Sequence, residues 1–278
     1  NISNIGYTWP ECFLFFVFCL ITYLIIRLCE SNSILYYGLL VFLLIYQVSI
    51  HQRTLAILIA AGLSMLYEKG ICRKRYKELI ASICLFLALW SVYQYYKELS
   101  ITAVWENGAA VVWNNLEGQV GKFRLLSSID GWKQLILSVI GKIFYYGIAT
   151  LGLGIVALSA LIKRTIVEKD NRMSMAYAFI LLSIMGTIAV TAIFMIVPLG
   201  PGHIVYGRYS DNIMGVVLVI AFCELYMGKE KIYIAAGLGF AVIAGFFVWL
   251  AHDYILGKGY ATINSCGLSW GLKSGQVR

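Results

Sequence analysis

Residues 33–67 read SILYYGLLVFLLIYQVSIHQRTLAILIAAGLSMLY, an apolar stretch interrupted only by Ser49-Ile50-His51-Gln52-Arg53-Thr54. As one helix it would be about 52 Å long at ~1.5 Å per residue. A bilayer core about 30 Å thick needs roughly 20 apolar helical residues. The stretch therefore reads as two spans, 33–50 and 53–67, joined by a hairpin turning at Ser49–Arg53. The same criterion finds six further runs, at 12–28, 78–96, 134–162, 173–197, 212–227 and 232–251. The expected fold is all-α, a polytopic transmembrane helical bundle of about eight spans.

Composition agrees with that reading. Of 278 residues 60% are hydrophobic and 13% charged, against about 25% charged in a soluble domain. A mean hydropathy of +0.80 leaves too little polar surface to cover a water-soluble globule, and too few solvating residues for a disordered chain. The net charge of +8 follows the distribution of basic residues beside apolar spans rather than a nucleic-acid footprint, and no nucleic-acid partner is expected. The lipid bilayer is the expected partner. Seven scattered cysteines show neither a disulfide framework nor zinc-ligand spacing, and read as small core residues.

Orientation follows from Lys and Arg. The connections after the first, third, fifth and seventh spans hold Arg27, then Lys69, Arg73, Lys74, Arg75 and Lys77, then Lys163, Arg164, Lys169 and Arg172, and then Lys229 and Lys231. These twelve of the 22 basic residues place those connections in the cytoplasm. Tyr7, Trp9, Tyr93, Tyr95, Tyr96, Tyr206 and Tyr209 fall near outer interfaces, where an aromatic belt is the simpler account than substrate stacking. Residues 1–251 form the expected membrane domain. In the outer loop 97–133, Trp105, Ala109, Val112, Leu116, Val120 and Phe123 recur at helical spacing, which predicts a helix lying in the interface. Residues 252–278 form a polar, Gly-rich outer tail. The chain opens on Asn1 without signal-peptide features, so it is expected to begin inside a longer protein.

Two polar motifs stand at the outer face in this topology: the 49–54 turn, and Pro198–Asn212, which includes His203-Ile204-Val205-Tyr206-Gly207-Arg208-Tyr209-Ser210-Asp211. Each precedes an inward-running helix, so each presents free backbone N–H groups and the positive end of a helix dipole. Arg53 and Arg208 add guanidinium forks suited to phosphate. Together they point to an outer-face phosphate site, with interfacial anchoring of the arginines as the plainer alternative. His51 and His203 can donate to phosphate or move a proton. Asp211 is one of five outer carboxylates that could serve as base, with Glu106, Glu117, Asp130 and Asp253. Lys142, eight residues into its run, would join the site if the span begins later. Glu224 reads as a carboxylate snorkelling to the cytoplasmic side. No ligand set fits a metal, and no P-loop or dinucleotide fingerprint is present, so neither a metal nor a cofactor is expected.

His51-Gln52-Arg53, the run Tyr145-Tyr146-Gly147-Ile148-Ala149-Thr150-Leu151-Gly152, and Tyr206-Gly207-Arg208-Tyr209 before a late span together resemble the C-terminal part of bacterial GT-C-type polytopic membrane glycosyltransferases. The resemblance covers roughly residues 40–225. It implies a multi-pass protein of the bacterial cytoplasmic membrane that moves a sugar from a polyprenyl-phosphate donor to an acceptor outside the cell. Arg53 and Arg208 would hold the carrier phosphate, supported by His51 and Tyr209. From the residues themselves, Lys142 is a further candidate contact to that phosphate, and Asp211 and His203 are the candidate catalytic groups. The resemblance also implies an acidic residue in a first outer loop, expected upstream of Asn1. A polysaccharide polymerase or ligase, or a lipid-linked-sugar flippase or transporter, are the alternatives.

Overall fold

The computed structural model describes residues 11–31, 33–72, 74–104, 121–166, 173–194, 210–227 and 230–255, and all of its regular structure there is helical. Helices α1 (Glu11–Glu30) and α2 (Ile34–Ile50) come first. A 3-10 turn (Gln52–Thr54) leads into α3 (Leu55–Met65), a π-helical turn (Leu66–Cys72) ends it, and α4 (Tyr76–Val104) follows. A 3-10 segment (Gly121–Ser127) precedes α5 (Ile129–Ala149), and then come α6 (Leu153–Ile166), α7 (Ser174–Phe194), α8 (Asp211–Tyr226) and α9 (Glu230–Ile255). The expected interfacial helix lies mostly in 105–120, outside the described residues, as does the tail beyond residue 255.

The 33–67 stretch breaks where its polar residues interrupt it. His51 is extended (φ −153°, ψ 121°), its Nδ1 accepts from the Arg53 N–H at 3.3 Å, and the Thr54 hydroxyl donates to the His51 carbonyl at 2.8 Å. These local bonds compete with continued helix. The chain then returns, because Lys69 at the far end of α3 sits over the ring of Tyr37 near the start of α2, 5.6 Å from its centroid.

The single run 134–162 is not one straight helix. It divides into α5 and α6 at Thr150–Gly152, where Leu151 (φ 52°) and Gly152 (φ 85°) take left-handed conformations. The Gly152 N–H closes a wide turn onto the Gly147 carbonyl at 2.6 Å, and the Thr150 hydroxyl accepts from the Gly154 N–H at 2.7 Å, so the broken backbone stays bonded.

Among the described residues, four helical stretches, at 12–30, 52–71, 76–100 and 174–194, are long and apolar enough to cross a membrane. Of the most apolar window of α4 only 6% is buried within the protein. Ile80, Ile83, Leu87, Val92 and Leu99 all face outward there. Water does not tolerate an apolar surface of that extent on a monomer, so a membrane protein is the coarse reading.

At the centre Phe18 of α1 stacks on Phe179 of α7, with centroids 5.7 Å apart and both side chains fully buried. Close approach is secured by small residues, as expected where lipid removes the hydrophobic drive between helices. Gly186 of α7 lies against Ala56 of α3, and Gly147 of α5 leaves room for the Phe240 ring of α9 that a Cβ would occupy.

Cross-helix bonds fix which helix ends lie together. Ser174, at the start of α7, donates to Glu68 at the end of α3 at 2.8 Å. Tyr177, one turn into α7, accepts from Arg164 at the end of α6, and Arg164 also binds Glu224 at the end of α8. The beginnings of α3 and α8, and with them Arg53 and Asp211, therefore lie at the opposite end of the bundle.

Candidate functional site

At that opposite end Tyr145, near the close of α5, donates its hydroxyl to Asp211 Oδ1 at 2.8 Å. Asp211 opens α8, so its carboxylate lies beside free N–H groups and the positive helix end. The neighbouring side chains are held inside the protein. Ser210 is 1% exposed, and Asn212, 2% exposed, has an Oδ1 without a partner among the described residues. Tyr146 is buried beside Ser210 and Asp211.

Lys142 stands one turn before this pair, at i−3 from Tyr145 and i−4 from Tyr146. Side chains at those spacings share a helix face. It is 1% exposed, so it lies within the bundle rather than at an open interface. An ammonium in such a place is costly to desolvate, and a charged group held inside a span is a functional candidate for that reason.

Arg53 comes from the break between α2 and α3. It is 5% exposed, and Thr54 beside it is 2% exposed. His51 is half-buried and uses Nδ1 to hold the turn. α7 connects the two groups. Its Gly186 touches Ala56 one turn below Arg53, and its Ile184 and Ile188 share a small internal gap with Ile143 and Tyr146 of α5. Ser183, Thr187 and Thr191 add three buried hydroxyls at four-residue spacing on this helix.

Of the residues singled out from sequence, Arg53 and His51 share one turn, and Asp211 and Lys142 belong to a second group built on α5 and α8. His203, Arg208 and Tyr209 lie outside the described residues. Tyr145 and Tyr146 carry much of the second group, although their sequence signal was only their place in the 145–152 run. Among the described residues no three His, Cys, Asp or Glu side chains come together as metal ligands would.

Glu224 does not snorkel. At 3% exposure it accepts from Arg164 Nε at 2.8 Å and is gripped as well by Arg164 Nη2. The guanidinium carbon lies 5.3 Å from the Tyr177 ring centroid. With both nitrogens converging on Glu224 Oε1, this pair fastens the ends of α6 and α8 far from Asp211.

No protein-family model matches this chain, and no match is found among curated proteins or solved structures.

Proposed function

We propose that this protein is a multi-pass glycosyltransferase of the bacterial cytoplasmic membrane, with about eight spans, acting at the outer face on a polyprenyl-phosphate-linked sugar. The observation that supports this most is the sharing of one bundle end by a buried arginine, Arg53, and a carboxylate–phenol pair, Asp211–Tyr145, with a buried lysine one turn away. A lipid-linked donor would lie with its chain between helices and its phosphate at headgroup depth. The acceptor hydroxyl attacks the anomeric carbon, its proton passes to Asp211 or His203, and the bond from sugar to phosphate oxygen breaks. Arg53, Arg208 and Lys142, with His51 and Tyr209, stabilise the negative charge left on the departing phosphate. Tyr145 holds the Asp211 carboxylate in one orientation, as a general base requires.

Binding of an undecaprenyl phosphate to the purified chain in nanodiscs tests this reading. Arg53→Ala and Arg208→Ala should each weaken binding about tenfold or more, the loss expected for one charge-assisted hydrogen bond. Unchanged binding in both variants would remove the carrier site.

A lipid-linked-sugar transporter is the second reading, favoured by the break between α5 and α6, since discontinuous helices line transport sites. The readings part on turnover: a transferase makes a new glycosidic bond in detergent solution, and a transporter does not.

A further inference from the structure

A second polar assembly occupies the end of the bundle away from Asp211, where the proposed transfer reaction has no use for it. Between the start of α2 and the start of α4 lies a half-open cavity of about 250 Å3, lined by Ile34 and Tyr37 on one side and Lys77, Glu78, Ser82 and Leu85 on the other. Its volume is below that of an ordinary small-molecule pocket and suits a headgroup.

Of the two charged residues described as lining it, Glu78 is offset and Lys77 is not. Glu78 is bound by the buried Lys69 at 2.9 Å and by Arg75 at 3.4 Å, so its carboxylate is offset by two cations. The Ser82 hydroxyl is turned to the Glu78 carbonyl at 2.8 Å. Lys77 remains at the rim, exposed. From Glu68 to Glu78 the chain carries five cations, Lys69, Arg73, Lys74, Arg75 and Lys77, against those two carboxylates, so the local field is positive. The far wall is hydrocarbon: Leu85 leads, two turns on along the same helix face, to the outward-facing Val92 of α4. An occupant must therefore join an anionic head to an apolar body.

We infer that this cavity binds one anionic phospholipid of the cytoplasmic leaflet, with its phosphodiester beside Lys77 and its acyl chains along Leu85 and the exposed face of α4. Basic pockets between spans at the cytoplasmic side recognise anionic headgroups by this combination of field and shape. The inference does not rest on sugar transfer, and either can fail without the other.

Native mass spectrometry of the delipidated 278-residue chain, titrated with dioleoyl phosphatidylglycerol or dioleoyl phosphatidylcholine, tests it. The wild type should hold one phosphatidylglycerol about fivefold or more tightly than phosphatidylcholine, the effect of one basic side chain near the surface. Lys77→Glu, a change at an exposed position, should bring phosphatidylglycerol down to the phosphatidylcholine level, and Leu85→Trp, which fills the cavity, should weaken both lipids. Equal affinity for the two lipids in the wild type would overturn the inference, as would wild-type phosphatidylglycerol binding in both variants. Displacement of the lipid by millimolar glycerol phosphate would identify a free-phosphate site and overturn it too.

Discussion

The Tyr145 hydroxyl donates to Asp211 Oδ1 at 2.8 Å across 66 positions of sequence. It joins the last turn of α5, just before the helix break, to the first residue of α8. A phenol from one helix thus fixes the orientation of a carboxylate at the positive end of another.

Tyr145→Phe should lower stability modestly and sugar transfer strongly. A double-mutant cycle with Asp211→Asn in thermal unfolding should give a coupling of about 1 kcal/mol, because the carboxylate retains access to solvent. Strict additivity of the two single changes would mean that the bond is not maintained.

The Arg164–Glu224 pair should behave as a buried charge pair does. Glu224→Ala, which removes the carboxylate that matches the Arg164 charge, should cost about 3–5 kcal/mol. Replacing both partners, Arg164→Met with Glu224→Leu, should cost clearly less, because neither desolvated charge remains. Tm values of the wild type and the two variants in one detergent decide it, and a double variant as unstable as Glu224→Ala would contradict the account.

Leu151, 93% exposed, holds a left-handed backbone at φ 52°, as Lys74 does at φ 53°. Leu151→Gly should be neutral or stabilising by up to ~1 kcal/mol, since a left-handed non-glycine costs about 1–2 kcal/mol and glycine loses part of that gain in chain entropy. Gly152→Ala meets no neighbouring atom within 4 Å, yet should cost about 1–2 kcal/mol through φ alone. If Gly152→Ala is harmless, the break at Thr150–Gly152 is not as described.

Gln52 and Lys74 stand at opposite ends of the α3 segment. In a background with the native cysteines replaced by serine, Gln52→Cys should react with an impermeant maleimide from outside intact cells and Lys74→Cys only after lysis. The reverse pattern would invert the orientation drawn from Lys and Arg, and labelling of both from one side would contradict the crossing.

Sequence alone located most of the described helices, but not the break that divides the run 134–162. Apolar runs long enough to span a bilayer are local properties, and the His51 turn is written in adjacent residues whose side chains cap their own backbone. Charge asymmetry likewise predicts Lys69 and Arg164 on one side of a membrane and Arg53 on the other, and the helix contacts set them at opposite ends of the bundle. What the tertiary structure decided is which polar groups meet. Nothing near Glu224 in sequence announces Arg164, and nothing near Asp211 announces Tyr145, because both pairings depend on helix rotation and on the break at Leu151–Gly152. Hydropathy records that a residue can lie in a span but not the direction it faces. Lys142 and Glu224 read as interfacial charges for that reason, and became interior ones once neighbouring helices closed around them.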